Sequence, residues 1–293
     1  MPELPEVETT VRYLRKHIKG LSIKGLWTDW PKITRHPASI KEFERRIKNK
    51  KIVDVRRRAK FIVLDISGKE SIFIHQKISG HLMFGRWKLV GGKWVSQQKG
   101  PLKDDPKNRH IRLVLFLSNN KQLALADLRR FGKIMLINDS DIDQVPAVAK
   151  LGPEPLDISF LQFKQLFSKK HGVIKSVLMD PMFIAGIGNI YSDEILWLAS
   201  LHPLSRVEKL SESQIKTVWQ ATKKILTKAI ELKGSSVDDY RTPEGERGQF
   251  QNATRAYHHT GSKCSKRDGG IINRMRVGGR SAHFCSHHQK LIS

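Results

Sequence analysis

At 293 residues the chain is long enough to bury a substantial core and to form two domains. Its 53 Lys and Arg against 28 Asp and Glu leave a formal charge of +25 and a pI near 10.2. So large an excess repels itself unless a polyanion lies close by, which makes nucleic acid the expected partner. A ribosomal or chromatin structural protein would share the charge but seldom needs so large an apolar core. The sequence shows no membrane-spanning run, no signal peptide and only Cys264 and Cys285, so no disulfide framework. The expectation is a monomer without a membrane partner in a reducing, intracellular compartment, cytoplasmic or nucleoid-associated.

The chain opens Met1-Pro2-Glu3-Leu4-Pro5-Glu6. A residue as small as Pro2 allows Met1 to be removed, which would leave a secondary amine at the terminus. An α-amino group titrates at roughly pH 8, so a useful fraction is neutral and nucleophilic towards carbonyl carbon near neutrality. Glu3 puts a carboxyl within reach of whatever that amine attacks, and the two together are the minimal kit for Schiff-base chemistry. Read alone, the same residues merely start a helix, with Pro5 at its first position and Glu6 and Glu8 in its first turn. Val7, Val11, Leu14 and Ile18 recur at helical spacing, and Gly20 stands where the helix should end. The terminus is therefore expected to be held in place.

From Ile23 to about Asn138 the pattern changes to short β-type runs, among them 61–66, 71–75, 111–117 and 122–126. Turn signals such as Ser67-Gly68 and Asn119-Asn120 separate them, which predicts a β-sandwich or barrel. Lys60 opens one strand after the basic run Arg56-Arg57-Arg58, where a solvated charge is the plain reading. The stretch Asp127-Leu128-Arg129-Arg130-Phe131-Gly132 puts two guanidinium groups and an aromatic on a short turn. Arg beside an aromatic suits filling a gap in a base stack while pairing with the opposite base, although a core Phe flanked by solvated arginines would look the same.

Leu151-Gly152-Pro153-Glu154-Pro155-Leu156 is a rigid connector and the expected domain boundary. Beyond it the periodicity is helical, over 160–167, 173–178, 191–198 and 212–232, the last with Ser211 and Gln214 at capping-box spacing. Gly186 and Gly188 precede the third helix and permit close backbone approach, and the N–H groups at that helix start suit a phosphate. The preceding strand and longer pattern of a dinucleotide fold are missing. Residues 251–293 carry eight Lys or Arg against Asp268, together with Cys264, Cys285, His287 and His288. Their Gly-rich setting reads as a β-hairpin.

In this order the pieces resemble the formamidopyrimidine-DNA glycosylase family of base-excision repair enzymes. The marks are Met1 to Glu8, Asp127 to Gly132, Leu151 to Leu156, Ala185 to Tyr191 with Asp193-Glu194, and the Gly278-Gly279-Arg280 turn before Cys285. The resemblance covers nearly the whole chain and implies an α+β fold. Its parts would be a β-sandwich domain with an N-terminal helix (2–138), a helix–two-turns–helix domain (151–245) and a C-terminal β-hairpin finger (250–290). It implies a bifunctional DNA glycosylase and AP lyase acting on damaged double-stranded DNA. Pro2 would attack C1′ of the damaged nucleotide, Glu3 would assist ring opening, Lys60 would donate a proton in β-elimination, and Arg280 would serve δ-elimination. His110, Arg129, Lys170, Lys175, Asn189 and Tyr191 resemble residues that grip the kinked backbone or the opposite strand. Arg129 and Phe131 would fill the hole left by a flipped-out base, with Ile78 of Ile78-Ser79-Gly80 where the family usually has Met.

Leu4, the Arg-Arg-Phe-Gly loop and Gly234 to Tyr240 favour oxidised purines, 8-oxoguanine and formamidopyrimidines, although Ser235-Ser236 replaces the family's Thr-Thr. The alternatives are an endonuclease VIII-like enzyme for oxidised pyrimidines and a non-catalytic lesion-binding protein. Binding alone would not need Pro2, Glu3 and Lys60 together. The finger departs furthest from its family, which has two Cys-x-x-Cys pairs around zinc. Here Cys264-Ser265-Lys266-Arg267 lacks the second ligand, and Cys285-Ser286-His287-His288 ends in His288. Zinc on Cys264, Cys285 and His288 then needs a fourth donor from Asp268, His258 or His259. A metal-free finger packed through Ile272, Val277 and Phe284 is the other reading.

Overall fold

Glu3 caps the first helix. Its carboxylate accepts the Glu6 N–H while its own N–H donates to Glu6 Oε2 at 2.7 Å. In the computed structural model, which describes Met1–Ser293, α1 therefore spans Leu4–Ile18, one residue ahead of the predicted start. Pro5 stands second in the helix, where no intrahelical donor is required. Gly20, at φ +88°, turns the chain out of α1, and its N–H donates to the Ile52 carbonyl at 2.8 Å.

The chain divides into two compact units, one of 1–149 with 232–251 and one of 150–231 with 252–293. In the first, α1 is followed by β1 (Ile23–Thr28), β2 (Thr34–His36), α2 (Ile40–Ile47), β3 (Ile52–Arg58) and β4 (Phe61–Ile66). Next come β5 (Glu70–His75), β6 (His81–Gly85), β7 (Trp87–Val90), β8 (Lys93–Ser96) and the single turn α3 (Pro101–Asp104). The unit's strands end with β9 (Ile111–Leu117), β10 (Gln122–Ala126) and β11 (Lys133–Asn138), before the single turn α4 (Pro146–Ala149).

One sheet has the order β1-β9-β10-β6 and the other β2-β11-β5-β4-β3. Alternate residues of both face inward, so Ile62, Leu64, Ile72 and Ile74 join Leu113, Leu115, Leu123 and Leu125 in one buried cluster. Val7, Val11, Leu14 and Ile18 of α1 enter the same cluster, the helical stripe that the sequence predicts. Each fully buried Leu or Ile contributes about 1.5–3 kcal/mol. The amino terminus is thus fixed by the body of the sandwich.

The second unit holds α5 (Phe160–Ser168), α6 (Ile174–Leu178), α7 (Asn189–Leu198) and α8 (Glu212–Glu231). Ahead of α8, Ser211 and Gln214 exchange hydrogen bonds of 2.8 and 3.3 Å, the expected capping box. The hairpin of β12 (Ile272–Val277) and β13 (Arg280–Cys285) follows, turning at Gly278 and Gly279, both at positive φ. No helix is long and apolar enough to cross a membrane.

Candidate active site

Pro2 is buried and Glu3 is only 3 % exposed, whereas Met1 before them is exposed. Glu6 organises this corner. Besides holding the Glu3 N–H, its Oε1 accepts the N–H of Ser235 at 2.7 Å. Gly234, at φ +77°, lies so close that a Cβ there would stand 2.7 Å from Glu6 Oε1. The Tyr240 hydroxyl donates to the Glu6 carbonyl at 3.3 Å. Residues 232–251 thus pack with the first unit, whereas their sequence position groups 232–245 with the helical part. One buried carboxylate holds both the helix start and the root of this loop.

Lys60 lies in the turn joining β3 to β4, next to Ala59 at φ +53°. Across the sheet His75 is paired with Phe61 on one side and Lys133 on the other. Its Nδ1 accepts the N–H of Lys77 at 3.0 Å, so the proton of the neutral ring sits on Nε2. Burial, reinforced by Lys77, Lys60 and Lys133, drives the His75 pKa down to about 3. The same crowding, with burial first and then Lys133 and Lys60, lowers Lys77. Several cations therefore converge at this sheet end, an arrangement an anion would relieve.

Asp127, fully buried, shapes the Arg-Arg-Phe-Gly turn. Its carboxylate accepts the N–H groups of Arg129 (3.3 Å) and Gly132 (2.8 Å) and the Ser79 hydroxyl. Ser79 Oγ also accepts the Arg129 N–H at 3.0 Å, tying the Ile78-Ser79-Gly80 turn to it. Gly80 is required there, since a Cβ would lie 2.3 Å from the Gln76 carbonyl. Ile78 and Phe131 remain 39 % and 48 % exposed, and Arg129 is exposed beside them. Exposed apolar side chains on two cross-linked turns suit insertion into a base stack. Arg130 is turned aside onto Asp29, which also holds Arg112.

The other expected contacts are distributed unevenly. His110 is half-buried, and burial followed by Arg112 and Lys107 lowers its pKa. Lys170 is partly exposed and paired with Asp180 at 2.8 Å. Asn189, at the start of α7, donates from Nδ2 to Ser281 Oγ at 3.2 Å. Lys175 and Tyr191 are placed differently from the roles expected of them: both are 0 % exposed. The Lys175 ammonium lies 2.6 Å from Asp193 Oδ1 and 3.0 Å from Ser192 Oγ, and faces the interior.

Asp193 and Glu194 carry more than their residue types suggest. Asp193 Oδ2 accepts the His283 N–H at 3.0 Å and lies 2.8 Å from His283 Nδ1. Glu194 accepts three backbone N–H groups, from Arg255, Ala256 and Tyr257, at 2.8–2.9 Å. Burial still pushes its carboxyl above the usual carboxylate range. Sequence reading noted this acidic pair only as a family mark, because its partners lie 18–90 residues away.

In the finger, Cys264, Asp268, Cys285 and His288 each offer a ligand atom, all within 4.8 Å of one another. His258 and His259 are not among them: His258 stacks on Tyr257 at 4.4 Å, and His259 Nε2 lies 3.1 Å from Thr254 Oγ1. His288 Nε2 sits 3.1 Å from the Trp197 carbonyl, which requires the proton there and leaves Nδ1 for a metal. Asp268 stands one position beyond the lost cysteine, and its Oδ2 lies 3.5 Å from Cys285 Sγ. Two thiolates, an imidazole and a carboxylate at this spacing fit a tetrahedral zinc site. Arg280, exposed, begins β13 at the hairpin turn.

Comparison with known proteins agrees with this layout. Residues 1–134 match the family model of the formamidopyrimidine-DNA glycosylase N-terminal domain, and 151–241 that of its H2TH domain. The formamidopyrimidine-DNA glycosylase of Pelotomaculum thermopropionicum is 35% identical over 99% of this chain and 100% of its own. That of Bacillus subtilis is 33% identical over 98% of each. Among solved structures, Lactococcus lactis Fpg bound to DNA containing FAPY-dG is 32% identical, with a TM-score of 0.83 over 98% of this chain and 100% of its own. The same enzyme bound to abasic-site DNA gives 0.83 over 98% and 99%. With both family models matched in order and relatives this similar along their whole length, the chain belongs to the formamidopyrimidine-DNA glycosylase family.

Proposed function

We propose that this protein is a bifunctional DNA glycosylase and AP lyase that removes 8-oxoguanine and formamidopyrimidines from duplex DNA. The observation that carries this reading is the buried Pro2-Glu3 pair on a helix start locked by Glu6. Once Met1 is removed, the Pro2 nitrogen attacks C1′ while the base leaves with the electrons of the glycosidic bond and takes up a proton. Glu3 gives a proton to O4′ as the sugar opens, leaving a cationic iminium. Loss of the C2′ proton into that electron sink expels the 3′-phosphate, with Lys60 as proton donor. Loss of the C4′ proton through the conjugated product then expels the 5′-phosphate, assisted by Arg280. Ile78, Arg129 and Phe131 fill the space the flipped nucleotide vacates, and Lys170, Asn189 and His110 hold the backbone. Lys175 and Tyr191 act from the interior, Lys175 by joining α6 to α7, the helix that presents Asn189. Substrate of this kind places the protein at the nucleoid.

Borohydride reduction in the presence of lesion-containing duplex is expected to trap a protein–DNA adduct, with peptide mapping placing the link at Pro2. An adduct at a lysine, or strand cleavage without an adduct, would overturn the assignment.

Cys264, Asp268, Cys285 and His288 would hold zinc in the finger, where the ion serves as a structural crosslink and takes no part in bond breaking. Protein purified without chelator should contain stoichiometric zinc that is lost in Cys285→Ser and weakened in Asp268→Asn. Metal-free protein of unchanged thermal stability would retire the site.

A further inference from the structure

The geometry points to Asp193 as the positioning residue for Arg280, acting through β13 and independently of the metal cluster. The inference rests on the reading that Arg280 assists the second elimination. Helix α7 and strand β13 run in register. Asn189 meets Ser281 (3.2 Å), Asp193 meets His283 (3.0 and 2.8 Å), and Trp197 packs with Cys285 in one buried cluster. Four helical residues advance about 6 Å and two strand residues about 6.6 Å, so every second residue of the strand meets one face of the helix.

Asp193 is the middle rung and the only charged one. Its Oδ1 is spent on Lys175 and its Oδ2 on His283, so the strand is coupled to α6 as well as to α7. Glu194 adds the second anchor by holding the N–H groups of 255–257, where the chain enters the finger. The metal cluster clamps the far end of β13 at Cys285, whereas Arg280 lies at the near end, three residues from His283. Placement of the Arg280 backbone is therefore set by the carboxylate rung before the metal is reached.

Asp193→Asn tests this, because an amide offers one acceptor where the carboxylate offers two: with its NH₂ towards His283 the rung is broken, and with its NH₂ towards Lys175 the rung keeps its hydrogen bond but loses the link to α6. The readout is the partition of cleaved DNA between the product of one elimination and that of both. In Asp193→Asn the share carried through the second elimination should fall roughly tenfold or more, as an ångström-scale misplacement can cause. Borohydride trapping and base excision should remain. Chelator-treated wild type should keep its partition. A wild-type partition in Asp193→Asn, or an equal shift on chelation alone, overturns the inference. Should Asp193→Asn fail to fold, Ser281→Ala, which removes the rung nearest Arg280, must shift the partition in the same direction or the inference falls. Arg280→Ala is the control. If it leaves the partition unchanged, the role of Arg280 itself is wrong; if it shifts the partition while Asp193→Asn does not, only the inference fails.

Discussion

Replacing Glu3 by glutamine is expected to slow base excision by about 10²–10⁴-fold, the range a positioned general acid supplies. Duplex binding should be unchanged. That corresponds to about 3–5 kcal/mol of barrier. Gln keeps an oxygen to accept the Glu6 N–H, so the cap that starts α1 survives and the buried terminus keeps its place. What it loses is the proton that O4′ must receive as the sugar opens. Single-turnover excision measured beside equilibrium binding separates the two effects. A rate within a few-fold of wild type would remove Glu3 from the chemistry, and a parallel loss of binding would recast it as structural. Pro2→Gly makes the companion case. A secondary amine gives an iminium that is cationic at any pH, whereas the primary amine of Gly gives an imine that must first be protonated. The variant should therefore form far less trappable adduct.

The fold was legible where a pattern is local. The short β-type runs 111–117 and 122–126 foretold the two strands that pair as β9 and β10, and the stripe Val7-Val11-Leu14-Ile18 foretold the buried face of α1. Ser211 and Gln214 foretold a cap because both partners lie within one turn. Candidate site residues could be named where the residue type itself suggests the chemistry, as at Pro2, Glu3 and the Cys264–Cys285 pair. What stayed hidden was long-range. Nothing near Glu6 signals that its carboxylate will hold Ser235, 229 residues on. Nothing near Asp127 signals that Ser79 will join its turn. Asp268 could be named as a candidate ligand but not chosen over His258 and His259 until the hairpin brought it beside Cys285 and His288. Lys175 was expected among the residues that grip the DNA backbone, and nothing near it in the sequence signals the pairing with Asp193 that accompanies its burial.

Lys175→Met is expected to destabilise the second unit by about 3–5 kcal/mol, because it leaves the Asp193 carboxylate buried without its counter-charge. Lys175 is fully buried and Asp193 1 % exposed, so water cannot make good the loss. Methionine fills nearly the same volume, which confines the change to the charge. Neutralising both partners in Lys175→Met/Asp193→Asn should recover part of the loss, since the amide can still accept from the His283 N–H. Calorimetric unfolding of the single and double variants gives the comparison, and a single variant as stable as wild type would mean that the pair contributes nothing. Salt dependence of DNA binding then decides what Lys175 is for. A lysine that neutralises a phosphate lowers the log–log salt slope by about one unit when removed. Lys170→Ala should show that drop, because its ammonium is partly exposed, beside Asp180 at 2.8 Å. Lys175→Met, measured below its unfolding temperature, should leave the slope unchanged. If instead its slope falls as far as that of Lys170→Ala, the ammonium leaves Asp193 when DNA binds, and the buried pair is a resting state of a phosphate contact.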